Sequence, residues 1–231
     1  MVSYLGHLPN LLIFGSTGTL GGAILDKYRA EKWDITCAVR KVVNDCDIQL
    51  PLTTGVLGSK KFDAVVFAQG ANVNGSAMQT GTKELNALFE ANVTVIAESV
   101  STLMGANAIN EGGRVVILSS LWEQFTRQEK FAYSVTKAAV GGLVRSLAVD
   151  LGRQKKILVN GILPGIVKTP MAEKLLTASQ IANVENATPV GRLVTPEDVG
   201  NSAYLLASES NTAISGQSIF VDNAFSVSRV I

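Results

Sequence analysis

The chain has 231 residues, 47% of them hydrophobic, with Lys+Arg 20 against Asp+Glu 19 for a formal net charge of +1. That length and apolar content describe a globular chain with an ample core and exclude a disordered one. Mixed signs without a long basic block, no apolar run near the ~20 residues of a membrane span, and no Lys or Arg in the first ten residues point away from nucleic acid, membranes and a secretory leader. A cytoplasmic protein is expected.

Short apolar runs alternate with longer helical patterns. The runs are "NLLIFG" (10 to 15), "ITCAV" (35 to 39), "DAVVFA" (63 to 68), "RVVILSS" (114 to 120), "ILVNGI" (157 to 162) and "SIFVD" (218 to 222). Their Val, Ile and Leu content with little polar alternation predicts parallel strands covered on both faces. Between them, helices are predicted from Gly21 to Glu31, from Tyr133 to Lys155 and from Pro196 to Ser208, the last behind the capping signal of Thr195. Leu85, Leu88, Phe89, Val93, Ile96, Val100 and Leu103 mark a further helix by their 3.6 period. The fold class is therefore α/β, a Rossmann-type doubly wound parallel sheet in a single domain over 1–231. Residues 41 to 62 must hold a third strand, "DIQL" at 47 to 50, and two crossovers, so the sheet is expected to be trimmed at this edge.

The cysteines, Cys37 and Cys46, lie in or near predicted strands without a metal-ligand pattern and are expected as buried free thiols of a reducing compartment. His7, the only histidine, precedes the first strand, so acid/base chemistry near neutral pH falls to other side chains. "GSTGTLGG" (15 to 22) follows strand one, where Gly15, Gly18 and Gly21 would let the backbone turn, approach a pyrophosphate and pack a helix whose N-terminus faces the phosphates. "AYSVTKAAV" (132 to 140) sets Tyr133 and Lys137 on one face of a helix among small and apolar residues. From these nine residues alone the pair is either an exposed surface pair or a functional one.

Taken with the glycine loop, "YSVTK", "ILSS" ending at Ser120, Asn92 in "FEANVTV" and "PGIVKTP" (164 to 170), the sequence resembles the short-chain dehydrogenase/reductases, and its tail resembles the 3-oxoacyl-carrier-protein reductase-like members. The resemblance implies an oxidoreductase in which Asn92, Ser120, Tyr133 and Lys137 are catalytic. It implies a dinucleotide site of Gly15, Ser16, Thr17, Gly18, Thr19, Leu20, Ala68, Gly70, Pro164, Gly165, Val167 and Thr169 with Tyr133 and Lys137, and no metal. Against the family pattern, Gly18 comes one place early, Thr19 replaces a glycine and Phe14 a threonine; "FAQG" stands for N-N-A-G and "VDNA" for V-D-G-G.

Lys137 and a positive nicotinamide would favour the Tyr133 phenolate, and Ser120 would donate to the carbonyl oxygen. The resemblance adds that Lys137 holds the nicotinamide ribose and that Asn92 anchors a water chain. Strand two runs into Arg40 and Lys41 rather than a carboxylate, which suits the 2′-phosphate of NADP(H), with NAD(H) possible. The substrate is expected to be a small carbonyl or alcohol compound under a lid at about 171–190. Trp122 and Phe125 are pocket, core or lid residues. A homotetramer or homodimer is expected through the Tyr133 helix. A non-catalytic nucleotide sensor or scaffold of the same fold is the rival reading.

Overall fold

The computed structural model describes residues 8–169 and 177–228. Seven strands, β1 (Asn10–Phe14), β2 (Asp34–Val39), β3 (Asp47–Gln49), β4 (Phe62–Phe67), β5 (Ile109–Leu118), β6 (Leu158–Pro164) and β7 (Ser218–Val221), form one all-parallel sheet in the order β3-β2-β1-β4-β5-β6-β7. Because side chains alternate across a strand, each apolar run feeds two cores. Leu12, Phe14, Val65, Phe67, Val115 and Ile117 enter one of them, where Ile96, Val100, Val140 and Val144 cover them. Leu11, Ile13, Ala64, Val66, Val116 and Leu118 enter the other, under Ile24, Tyr28, Val199, Ala203 and Leu206.

The covering helices are α1 (Thr19–Ala30) and α7 (Pro196–Ala207) on the second face, and α4 (Val95–Gly105) and α5 (Phe131–Lys155) on the first, with α3 (Thr82–Phe89) packed against α5. A one-turn α2 (Thr54–Leu57) and an outlying α6 (Ala178–Ala187) complete the set among the described residues. Gly200 brings α7 close to α1, since a Cβ there would stand 2.8 Å from the Ala23 carbonyl oxygen. The start of α7 follows its sequence: Thr195 accepts from the Asp198 N–H at 3.2 Å, Asp198 accepts from the Thr195 N–H at 2.9 Å, and Arg192 grips the same carboxylate.

The trimmed edge is present, with a three-residue β3 and the single turn of α2 as its only helix among the described residues. Three expectations change. The helix read as continuous from its period is broken by a π-helical turn over Glu90–Thr94. β5 begins earlier than expected, its pairing with β4 slipping between Phe62 and Ala64, and ends at Leu118, leaving Ser119 and Ser120 beyond the strand. Cys37 is buried, but Cys46 is exposed because it sits in the turn before β3. Both thiols are free. No helix among the described residues is long and apolar enough to cross a membrane. His7 lies outside the described residues.

Candidate active site

The strands end toward one side, and the glycine loop turns there. Gly15 has φ +76°, and a Cβ on it would meet the Gln69 nitrogen at 2.6 Å. A Cβ on Gly21 would lie 2.0 Å from the Gly15 carbonyl oxygen, so these two glycines close the loop against α1 and the end of β4. Below this contact, two departures from the family pattern meet: Phe14 and Phe67 are register partners on β1 and β4, with rings stacked at 4.4 Å. Each aromatic fills space that the other needs, which keeps the tight Gly15–Gln69 approach supported from beneath.

Gly18 caps α1 without any side-chain bond, and the first turn of the helix carries no acidic residue. Its N–H groups therefore face the cleft uncapped, as an anion site requires. The cleft, about 380 Å³, is lined by Gly18, Thr19, Leu20 and Gly21 at this end and by Tyr133 and Lys137 at the other. Ala68 and Gly70 form one wall, and Gly165, Val167 and Thr169 form another. Gln69 lines it too, with both amide heavy atoms buried and without a protein partner. Uncapped helix N–H groups, a buried lysine and an orphaned amide fit a nucleotide cofactor with anionic phosphates and ribose hydroxyls.

Tyr133 and Lys137 are not a surface pair. Lys137 is only 4% exposed; its Nζ donates to the Leu118 carbonyl at 3.1 Å and lies 5.7 Å from the centre of the Tyr133 ring. Burial lowers the lysine from its ordinary 10.5 to about 8, opposed by the Glu123 carboxylate. Burial also raises the Tyr133 phenol, and the hydrogen bond with Ser120 works against that rise. Ser120 reaches the phenol because β5 has ended two residues earlier and the chain turns into a 3₁₀ segment over Leu121–Glu123, which Ser120 caps by accepting from the Trp122 N–H at 3.3 Å.

Asn92 sits in the π-helical turn and is 1% exposed. Its Oδ1 accepts from the Ala71 N–H at 2.8 Å; its Nδ2 donates to the Ala71 carbonyl and to Thr136 Oγ1, each at 3.0 Å. Thr136 Oγ1 in turn donates to the Tyr133 carbonyl at 2.9 Å. The extra residue of the wide turn aims this amide inward, tying the chain after β4 to the first turns of α5.

Other expected site residues lie apart. Gly15, Ser16, Thr17 and Pro164 shape the loop and strand ends without lining the cleft. Arg40 and Lys41 are exposed at the end of β2, and Gln49 Nε2 donates to the Arg40 carbonyl at 2.6 Å. Phe125 is exposed and stands 5.8 Å from Phe220, and Trp122 carries Arg127 over its ring; neither lines the cleft. Of the expected lid, 171–176 lie outside the described residues, while 177–190 contain α6 and no buried α6 side chain. Sequence reasoning missed Gln69, Ala71 and Asn72 as lining residues, along with Lys130. This lysine, 5% exposed, donates to Asn72 Oδ1 at 3.0 Å and Asn74 Oδ1 at 2.7 Å, and lies 5.4 Å over the Tyr133 ring. Its position beside the Y-x-x-x-K segment was the only available signal.

A doubly wound parallel sheet with a glycine turn after β1 and an apposed Ser, Tyr and Lys defines a dinucleotide-dependent enzyme class. The family model described as "Enoyl-(Acyl carrier protein) reductase" matches residues 53–226. The chain belongs to the short-chain dehydrogenase/reductase family of oxidoreductases. It is 28% identical over 179 residues to Oxidoreductase UcpA of Escherichia coli (strain K12), covering 74% of this chain and 68% of that one. It is 34% identical over 128 residues to the L-rhamnose 1-dehydrogenase (NADP(+)) of Thermoplasma acidophilum, covering 55% and 49% of the two. In fold it is similar to a short chain dehydrogenase family protein from Francisella tularensis, with TM-score 0.85 at 19% identity over 96% of this chain and 100% of the other. It is also similar to ElxO with NADP bound, with TM-score 0.81 at 19% identity over 96% and 100%.

Proposed function

We propose that this oxidoreductase interconverts a carbonyl and an alcohol on a small-molecule substrate, with NADP(H) as its preferred cofactor and Tyr133 as general acid/base. The observation that carries the reading is the convergence of Tyr133, Ser120 and Lys137 at the end of the cleft that starts at the α1 N-terminus. The NADP named for the Thermoplasma relative and for ElxO supports the cofactor assignment, as do Arg40 and Lys41 at the end of β2.

When bound, the nicotinamide supplies or accepts the hydride. The chain's own residues handle the proton and the oxygen. In reduction the Tyr133 hydroxyl protonates the carbonyl oxygen, and the Ser120 hydroxyl donates to that oxygen as negative charge grows on it. Burial alone holds the phenol too high to release its proton easily, so the role of Lys137 is to favour the phenolate from the next turn. Lys137 would also hold the nicotinamide ribose when the cofactor is bound. Asn92 fixes the Gly70–Ala71 wall against α5, and the second lone pair of its Oδ1 is available to hold the first water of a proton relay.

The test is Tyr133→Phe, which removes only the proton-carrying oxygen. Cofactor affinity is expected to stay within a few-fold, while turnover on a panel of ketones and aldehydes falls by at least ~100-fold. Near-normal turnover in the variant, or tight cofactor binding by the wild type with no turnover across the panel, would reject the assignment, the latter in favour of a nucleotide sensor.

A further inference from the structure

Cys37 and Cys46 are nine positions apart in a spacing that matches no metal motif, and the sheet brings them together. Cys37 pairs in register with Asp47 across β2 and β3, and its N–H donates to the Cys46 carbonyl at 2.9 Å. The two sulfur atoms and a carboxylate oxygen of Asp47 all lie within 4.8 Å of one another. We propose that Cys37, Cys46 and Asp47 form a binding site for a thiophilic divalent cation of the Zn²⁺ type, at the sheet edge beside the glycine loop.

The donor set suits such an ion. Two soft thiolates with one carboxylate are ligands that zinc accepts, and a tetrahedron built on their usual bond lengths places donor atoms about 3.5–3.8 Å apart. Reaching that spacing asks for a side-chain adjustment on the order of 1 Å, whereas a disulfide needs the sulfurs at about 2.05 Å. The carboxylate is held ready: Asp47 Oδ2 accepts from the N–H groups of Val43 and Asn44, both at 2.9 Å, and from Asn44 Nδ2 at 3.4 Å. Those bonds leave Oδ1 for the cation, and it is now the acceptor of the Cys46 thiol at 3.9 Å. Outer-shell bonds of this kind orient a ligating carboxylate. Cys46 is exposed and provides the way in. On binding, both thiols release their protons to solvent, the cation takes two thiolates and the Asp47 oxygen, and water completes the fourth position.

The consequence is local. A three-residue edge strand would be fastened to β2, fixing the intervening turn. The site is independent of the nucleotide reading, because metal binding is measured without cofactor.

The test titrates Co²⁺, then Zn²⁺, into the fully reduced protein. A thiolate-to-cobalt charge-transfer band saturating at one equivalent and bleached by Zn²⁺ is expected, with both thiols then protected from a thiol reagent. Cys46→Ser, at an exposed position, is expected to lose the band while keeping its far-ultraviolet circular dichroism. Absence of the band, its survival in Cys46→Ser, or closure of a Cys37–Cys46 disulfide in glutathione-disulfide buffer by protein that takes up no metal when reduced would each overturn the proposal.

Discussion

Lys137 is a charge the fold holds at a cost. Its ammonium has one carbonyl partner, Leu118, and burial lowers its pKa from 10.5 to about 8. Below about 8 the folded and unfolded chains are both protonated and the full cost of burying the charge is present. Between about 8 and 10.5 the unfolded chain still binds a proton that the folded one has released, so the stability contributed here rises with pH through that window. Lys137→Met is therefore expected to be more stable than wild type near neutral pH, with the advantage shrinking as pH rises through that window, and to be inactive. Urea denaturation across the pH range checks it. At the opposite corner, Arg40 is exposed, so its effect is expected in recognition rather than in stability. A charge-assisted bond to a 2′-phosphate contributes about 1.5–3 kcal/mol, roughly 10- to 150-fold in affinity. Arg40→Ala is expected to weaken NADP(H) by that order and to spare NAD(H). Titrating both cofactors against both proteins decides this, and tighter NAD(H) binding by the wild type would reject the preference.

At the level of elements, the turn after β7 shows what a departure in sequence costs. Asn223 and Ala224, standing where the family has two glycines, have φ +55° and +66°. Asp222 holds them there, its carboxylate accepting from the N–H groups of Ala224 at 3.0 Å and Ser226 at 2.8 Å. Asn tolerates this region, whereas Ala bears a Cβ against its own carbonyl. Ala224→Gly is expected to raise stability by about 1 kcal/mol, read as a higher denaturation midpoint with unchanged slope. The strands, the capped α7 and the trimmed edge were legible because apolar runs, turn residues and the shortness of 41–62 are local facts. The π-helical turn was not, because the period of Leu85 to Leu103 survives one added residue and only the bonds of Asn92 to Ala71 and Thr136 reveal its purpose. The Lys130 clamp escaped because Asn72 and Asn74 are distant from it in sequence, and the thiol pair because only the pairing of β3 with β2 brings two cysteines nine positions apart together.

At the scale of the molecule, α5 spans 25 residues and leaves an apolar stripe uncovered. Val135 is 39% and Val149 56% exposed, Ala138 lies on the surface between them, and a Cβ on Gly142 would meet nothing within 4 Å. Small residues in such a stripe allow another helix close approach, and a homodimer or homotetramer built on α5 is expected. Light scattering at micromolar concentration tests this: a wild-type monomer would contradict it, and Ala138→Glu is expected to shift an assembled protein toward smaller species.

The contact of α1 with α7 has a consequence for how the chain is made. Ile24 and Tyr28 of α1 are fully buried, in the same core as Val199, Ala203 and Leu206 of α7, yet some 165 residues separate the two helices. During synthesis from the N-terminus, one side of the central strands and the inner face of α1 stay uncovered until the intervening residues and α7 itself have emerged. A ribosome-stalled chain ending before α7 is thus expected to present a sticky surface to chaperones, while one extended far enough for α7 to leave the ribosome does not.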